Sequence, residues 1–290
     1  MRDQAESLRQ RLQRMKDRTE AKVIAVVSGK GGVGKSNFSL NFAINLSRNK
    51  QKVLIFDMDI GMGNIDILMG LPSRGSFVDI FKQGISIQDI IKEGPEGVDF
   101  ISGGSGLSTL FKLDSEKLSY FLNQLGKLAL DYDYILFDMG AGITEDSLQL
   151  LLSVHEIFVV TTPEPTAITD AYSMMKYICT KENNAEFYLI VNRALSHEEG
   201  TSTLKRLSEV MRQFLKKEIV QLGYLPDDRN VNKAVSRQTP FSVFDPKSKV
   251  SIALKEIADR YIDGNSIENG KQKPKSFSFI SRLRHYFQER

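Results

Sequence analysis

What the 290-residue chain lacks narrows the field first. It holds one cysteine, Cys179, and no tryptophan. A lone thiol excludes an intrachain disulfide and any single-chain thiolate cluster, and it suits a reducing compartment. The three histidines, at 155, 197 and 285, fall at no metal-ligand spacing. No run of about 18 apolar residues occurs, so no bilayer-spanning helix is expected. The first twenty residues are heavily charged and lack an apolar h-region, so a secretory leader is not expected either. A strong overall charge is also missing. The total is +3, and it sits at the ends. Residues 1–22 carry seven Lys/Arg against four Asp/Glu and residues 271–290 carry six against one, which leaves −5 on residues 23–270. A broad cationic platform is therefore not expected on the body, and DNA is an unfavoured partner.

What is present is a regular alternation. VIAVVSG (23–29), KVLIFDMD (52–59), VDFISGG (98–104), YDYILFD (132–138), EIFVVTTP (156–163), EFYLIVN (186–192) and IVQLGYLP (219–226) read as buried strands. Helical patterns lie between them, at 35–48, 115–129, 167–181 and 201–217 among others. The alternation predicts an α/β fold with a doubly wound, mostly parallel sheet flanked by helices. Such sheets bind ligands beyond their strand C-termini, where several polar or glycine-containing turns fall. Residues 21–263 read as one domain without internal repeats. Residues 1–20 read as a polar helix, 264–276 as a linker, and 277–290 as a further helix.

The first strand runs into Gly29-Lys30-Gly31-Gly32-Val33-Gly34-Lys35-Ser36-Asn37. This fits G-x-x-x-x-G-K-[ST]: curled backbone amides hold phosphate oxygens, Lys35 bridges the β- and γ-phosphates, and the Ser36 hydroxyl binds Mg²⁺. The same letters satisfy G-x-G-x-x-G through Gly29, Gly31 and Gly34, with Asp57 placed near a dinucleotide fold's ribose-binding acid. Lys35 and Ser36 have no role beside a pyrophosphate, however. The strand ending at Asp138 also supplies the second carboxylate that phosphoryl transfer needs. ATP with Mg²⁺ is the expected ligand pair.

KGGVGKS, with a lysine after the first glycine, resembles the deviant Walker A motif of the MinD/ParA ATPases. The resemblance implies that Lys30 crosses an ATP-bound homodimer interface to the partner's phosphates, making slow hydrolysis depend on pairing. It implies that Asp59, in FDMDIGMGN, orients the attacking water and that Asp57 supports the Ser36–Mg²⁺ shell, although Asp57 also reads as an ordinary turn acid. It makes Asp138, in LFDMGAG, the magnesium-side carboxylate acting through water. Gly140 becomes a backbone donor near the γ-phosphate, where many relatives carry proline. Asn192, Pro226 and Asp227 are implied to flank adenine; as bare residues they read equally as caps or turns.

The ends separate the relatives. On a helical wheel centred on Leu283, the residues Phe279, Ile280, Tyr286 and Phe287 gather on one side, with Arg282 and Arg284 at its margins. This reads as an amphipathic helix for an anionic membrane surface, two copies of which bind better than one. Packing against its own domain is the other reading. At the N-terminus, Asp3, Gln4, Ala5, Leu8 and Arg9 form a DQAxxLR pattern similar to the activator segment of the FlhG family of flagellar number regulators. That resemblance implies stimulation of an FlhF-type GTPase related to the signal-recognition-particle GTPases, contact with flagellar switch-ring proteins, and a cytoplasmic protein reversibly bound to the membrane. Without it the segment reads as a frayed terminal helix. DNA-partition and division-site ATPases of the same family remain the alternatives.

Overall fold

The computed structural model describes residues 20–59, 65–71, 85–102, 115–181, 185–269 and 278–288. Eight strands form one sheet: β1 (Lys22–Val27), β2 (Val53–Met58), β3 (Lys92–Glu93), β4 (Asp99–Ile101), β5 (Tyr134–Met139), β6 (Glu156–Thr161), β7 (Glu186–Ala194) and β8 (Ile219–Pro226). Their order is β3-β4-β2-β5-β1-β6-β7-β8. Every pairing is parallel except β3 with β4. The central strands β2, β5 and β6 are buried along their whole length, which is why they read as unbroken apolar runs. β3 is only two residues long and antiparallel, too short for a periodicity to reveal it.

Helices cover both faces. On one lie α1 (Lys35–Arg48), the short α2 (Ile65–Met69), α7 (Arg229–Ser236), α8 (Phe241–Phe244) and α9 (Lys249–Asn269). Phe38, Phe42, Phe158, Leu254 and Tyr261 form the centre of that layer. On the other face lie α3 (Ser115–Asp131), α4 (Glu145–Ser153), α5 (Pro165–Cys179), α6 (His197–Val210) and α10 (Phe279–Gln288). Phe56, Phe137, Leu125, Leu151 and Met175 pack there. At the base of the sheet Glu156 is buried and takes a salt bridge from Lys22 and a hydrogen bond from the Tyr261 hydroxyl. A buried carboxylate is tolerable only when so paired.

Several features differ from the sequence reading. The helix expected over 201–217 begins earlier, at His197, and after Val210 loosens into a π-helical turn, Met211–Leu215, closed by left-handed Lys216 (φ 53°). The segment expected to open a linker at residue 264 instead continues α9 to Asn269. And α10, expected to offer a lipid-facing stripe, is docked on the domain.

Candidate active site

The loop between β1 and α1 is shaped by two glycines that admit no side chain. Gly34 has φ 91°, and an added Cβ would overlap the Asn192 amide nitrogen. Gly29 lies so close to the backbone of Asp170 in α5 that a Cβ would collide with it. The loop is thus held between β7 and α5, at the C-terminal edge of the sheet. Lys35 opens α1 and is buried, its ammonium donating to Asp138 Oδ1 at 2.9 Å. Ser39, one turn along α1, donates to the same oxygen at 2.8 Å. Asp138 Oδ2 is buried with no hydrogen-bond partner among the described residues.

Asp57 on β2 lies in register beside Asp138 on β5. Its two oxygens accept the backbone N–H groups of Asp59 and Ile65 at 3.1 and 3.2 Å. Burial, and secondarily the neighbouring Asp138, push its carboxyl up to about 6. Asp59 is shifted up as well, first by burial, with Lys35 opposing and Asp138 adding. Asp59 faces Gly140, whose added Cβ would only touch its carboxylate at 3.4 Å, so the glycine there is not sterically required. Ser36, Asp57, Asp59 and Asp138 therefore converge around Lys35 as the sequence implied. No cluster of three or more His, Cys, Asp or Glu suited to a metal occurs among the described residues. The donor set fits Mg²⁺, which takes few protein ligands and is carried largely by substrate phosphates. The orphaned Asp138 oxygen and the Ser36 hydroxyl are the groups that fit it.

Lys30 stands apart from these acids. Its ammonium donates to Glu164 Oε2 at 3.1 Å and to Thr166 Oγ1 at 3.2 Å, and both ends of the ion pair are exposed. Sequence reasoning missed Glu164, because nothing local links positions 134 residues apart.

Beside the loop opens a cavity of about 600 Å³, lined among others by Asn37, Phe38, Asn192, Pro226, Asp227 and Phe241. Its size suits a nucleoside. Asn192 gives one N–H to Val33 O at 2.8 Å and accepts from Arg193 N at 3.0 Å, which leaves one N–H and one lone pair for a ligand edge. Phe241 and Phe38 are lining residues that the sequence did not suggest.

The tail residues are elsewhere. Phe279 and Leu283 are 1% exposed, inside the core, and Phe279 packs on Phe137 with ring centres 5.8 Å apart. Ile280 is half-buried against the same cluster, near Gly126 of α3. Arg282 donates to Val154 O at 3.4 Å, while Arg284 is exposed and Tyr286 half-buried. So the apolar stripe is real, and its occupant here is the chain's own domain, the second of the two readings of that helix. Both readings stood because a stripe has the same spacing whatever covers it. His155, next to Val154, accepts Val23 N–H at Nδ1 (2.9 Å), and burial, then Arg282, then Lys22 lower its pKa to about 4. The Phe287 side chain and the N-terminal residues Asp3, Gln4, Ala5, Leu8 and Arg9 lie outside the described residues.

Known proteins agree with this geometry. The family described as "ParA: NUBPL iron-transfer P-loop NTPase" matches residues 19–262. The chain belongs to the MinD/ParA family of P-loop ATPases. The antiactivator FleN of Pseudomonas aeruginosa is 32% identical, across 82% of this chain and 85% of that protein. The flagellum site-determining protein YlxH of Helicobacter pylori is 34% identical, across 88% of each. Among solved structures, the MinC:MinD complex of Aquifex aeolicus matches with TM-score 0.66 and 25% identity over 89% of this chain and 99% of that one. A MinD from Pyrococcus horikoshii complexed with Mg-ADP shares the fold, with TM-score 0.68 and 23% identity over 85% and 98%. As a member of this family the chain is a P-loop ATPase. Cys179, its one cysteine, supplies no thiolate pair of the kind that iron–sulfur chemistry uses.

Proposed function

We propose that the chain is a homodimerising Mg-ATPase that governs flagellar number or placement. The observation that carries the flagellar assignment is its likeness to two flagellar relatives at 32% and 34% identity over more than four-fifths of its length. Division-site MinD proteins of Helicobacter pylori and Bacillus subtilis match at 29% and 28%.

When bound, Mg²⁺ would supply positive charge to the phosphate oxygens. Ser36 and Asp138 would hold it, with Asp57 behind them. Lys35 transfers its ammonium from Asp138 to the phosphates, and Asp59 orients the attacking water. Lys30 leaves Glu164 and Thr166 for the phosphates of the second copy. An exposed ion pair of this kind contributes about 0–1 kcal/mol, too little to hold Lys30 back against a triphosphate. The test is sizing with ADP and with a non-hydrolysable ATP analogue. A dimer is expected only with the analogue, and not for Lys30→Ala; a dimer indifferent to the third phosphate would overturn the scheme.

The same reading makes α10 a conditional anchor. Phe279 rests on Phe137, the residue before Asp138, and α10 packs on α4, which begins just past the Asp138–Gly140 turn. A shift of that turn on binding the γ-phosphate would loosen the seat of the tail. Burying Phe279 and Leu283 contributes about 2–3 kcal/mol each, and lipid offers those side chains an equally apolar contact, so the exchange is nearly balanced. Two tails per dimer then favour an anionic membrane. Liposome pelleting that is unchanged in a chain ending at Asn265 would remove this anchor. The N-terminal residues Asp3 to Arg9 are assigned to stimulation of an FlhF-type GTPase. A peptide of residues 1–20 is expected to raise that GTPase rate, with the gain lost in Gln4→Ala. Switch-ring proteins are the further partners in this reading.

A further inference from the structure

α1 carries Asn37, Asn41 and Asn45 at four-residue intervals, and Asn49 follows at its C-terminal end. Asparagine is a poor helix former because its amide competes with the backbone. Here each amide donates one turn back, Asn41 Nδ2 to Asn37 O and Asn45 Nδ2 to Asn41 O at 2.8 Å, and Asn49 Nδ2 to Asn45 O at 3.0 Å. The ladder occupies the face of α1 turned to α8 and α9. Asn41 is fully buried, and its carbonyl oxygen accepts the backbone N–H of Ser242 at 2.9 Å. Asn45 reaches Ser242 Oγ only at 3.4 Å, and Arg48 donates to Ser242 O at 3.2 Å.

Ser242 belongs to α8, a four-residue helix far too short to hold itself. Its preceding residue, Phe241, forms one wall of the nucleoside cavity, and Ser251 of α9 donates to the Phe241 carbonyl at 3.2 Å. The wall is therefore clamped from two sides, by Asn41 and by Ser251. α1 holds both halves of the ligand site: Lys35 and Ser36 at its start for phosphate, Asn41 two turns on for the base wall.

We infer that Asn41 is a positioning residue that fixes Phe241 against the nucleotide base and touches no ligand itself. This rests on the cavity being the nucleoside site of the proposed ATPase. Truncating Asn41 leaves a buried N–H unpaired, a loss that α8 relieves by shifting away from α1.

The experiment is calorimetric titration of the full chain, with Mg²⁺, using ADP and inorganic pyrophosphate as probes. Asn41→Ala is expected to weaken ADP about ten-fold while pyrophosphate stays within about two-fold. Asn45→Ala, which removes a neighbouring rung of the same ladder, is expected to lower Tm comparably and to leave both affinities within about two-fold. An equal loss of both probes in Asn41→Ala, or an ADP loss as large in Asn45→Ala, would mean general loosening of α1 and overturn the assignment. If Asn41→Ala does not fold, Ser251→Ala releases the wall from the other side, and unchanged ADP binding by it would equally overturn the clamp. Failure of the unaltered chain to bind ADP would instead remove the nucleotide reading beneath it.

Discussion

At the scale of single residues, hydrolysis and binding are separable. Lys35 acts on Asp59 only through its charge, whereas Asp138 takes hydrogen bonds from both Lys35 and Ser39. Asp59→Ala is expected to cut turnover about 100-fold or more and leave ADP affinity within a factor of two or so, measured by phosphate release and calorimetry. Glu164→Gln is expected to change stability by less than about 1 kcal/mol, because the pair it breaks is exposed on both sides. It frees Lys30, so the dimer with a triphosphate analogue is expected to form at least as readily; a lost dimer would mean that Glu164 itself belongs to the interface. The phosphate loop and both strand-end acids were legible in the sequence because each closes a short local motif, whereas Asn192 was singled out only by the family resemblance. Ser39 was within reach of the same reasoning, one turn from Lys35 on a helix already inferred. Glu164 and Phe241 were not, since only the fold brings them to the site.

At the scale of elements, the strands were legible because burial on both faces leaves an apolar run with sharp polar ends. IVQLGYLP coincides with β8 to the residue. The helices between were bounded less well, since a π-helical turn such as Met211–Leu215 keeps the apolar spacing while changing the hydrogen bonding. The tail taught the opposite lesson: its amphipathic stripe was legible, but the stripe alone left lipid and the chain's own domain as alternative partners. The docking of α10 offers a reporter. Arg282 helps to hold the His155 pKa at about 4. In a chain ending at Ser276, or on addition of a triphosphate analogue that frees α10, the His155 pKa is expected to rise by about a unit or more toward 6.5, followed by histidine ring NMR. A value unmoved by tail removal would mean that burial by α4 and β1 alone sets it.

At the scale of the whole molecule, two groups oppose each other in acid. His155 has a folded pKa below its unfolded one, so the unfolded chain takes up the proton first and stability falls as pH drops from about 6.5 toward about 4. Asp57 has a folded pKa raised to about 6, so the folded chain takes up the proton first and stability gains as pH falls from about 6 toward 3.8. Each effect is about 1–2 kcal/mol at pH 5, and they nearly cancel. With EDTA and no nucleotide, the gap in urea-unfolding stability between His155→Gln and the unaltered chain is therefore expected to shift by about 1–2 kcal/mol in favour of the variant between pH 7 and pH 5. A gap that does not change with pH would show His155 titrating alike in both states.

The strand direction of β1 carries one more implication. Its last residue feeds the phosphate loop, while its first, Lys22, lies at the sheet's far end, where Lys22 and Arg282 both bear on His155. Nucleotide chemistry and the points where both cationic extremities join the body thus occupy opposite ends of the β1 axis, about 20 Å apart. The protein consequently has a top and a bottom. In the proposed dimer, an acidic surface gripped by the lower pole would leave the upper one turned outward, available for a twin.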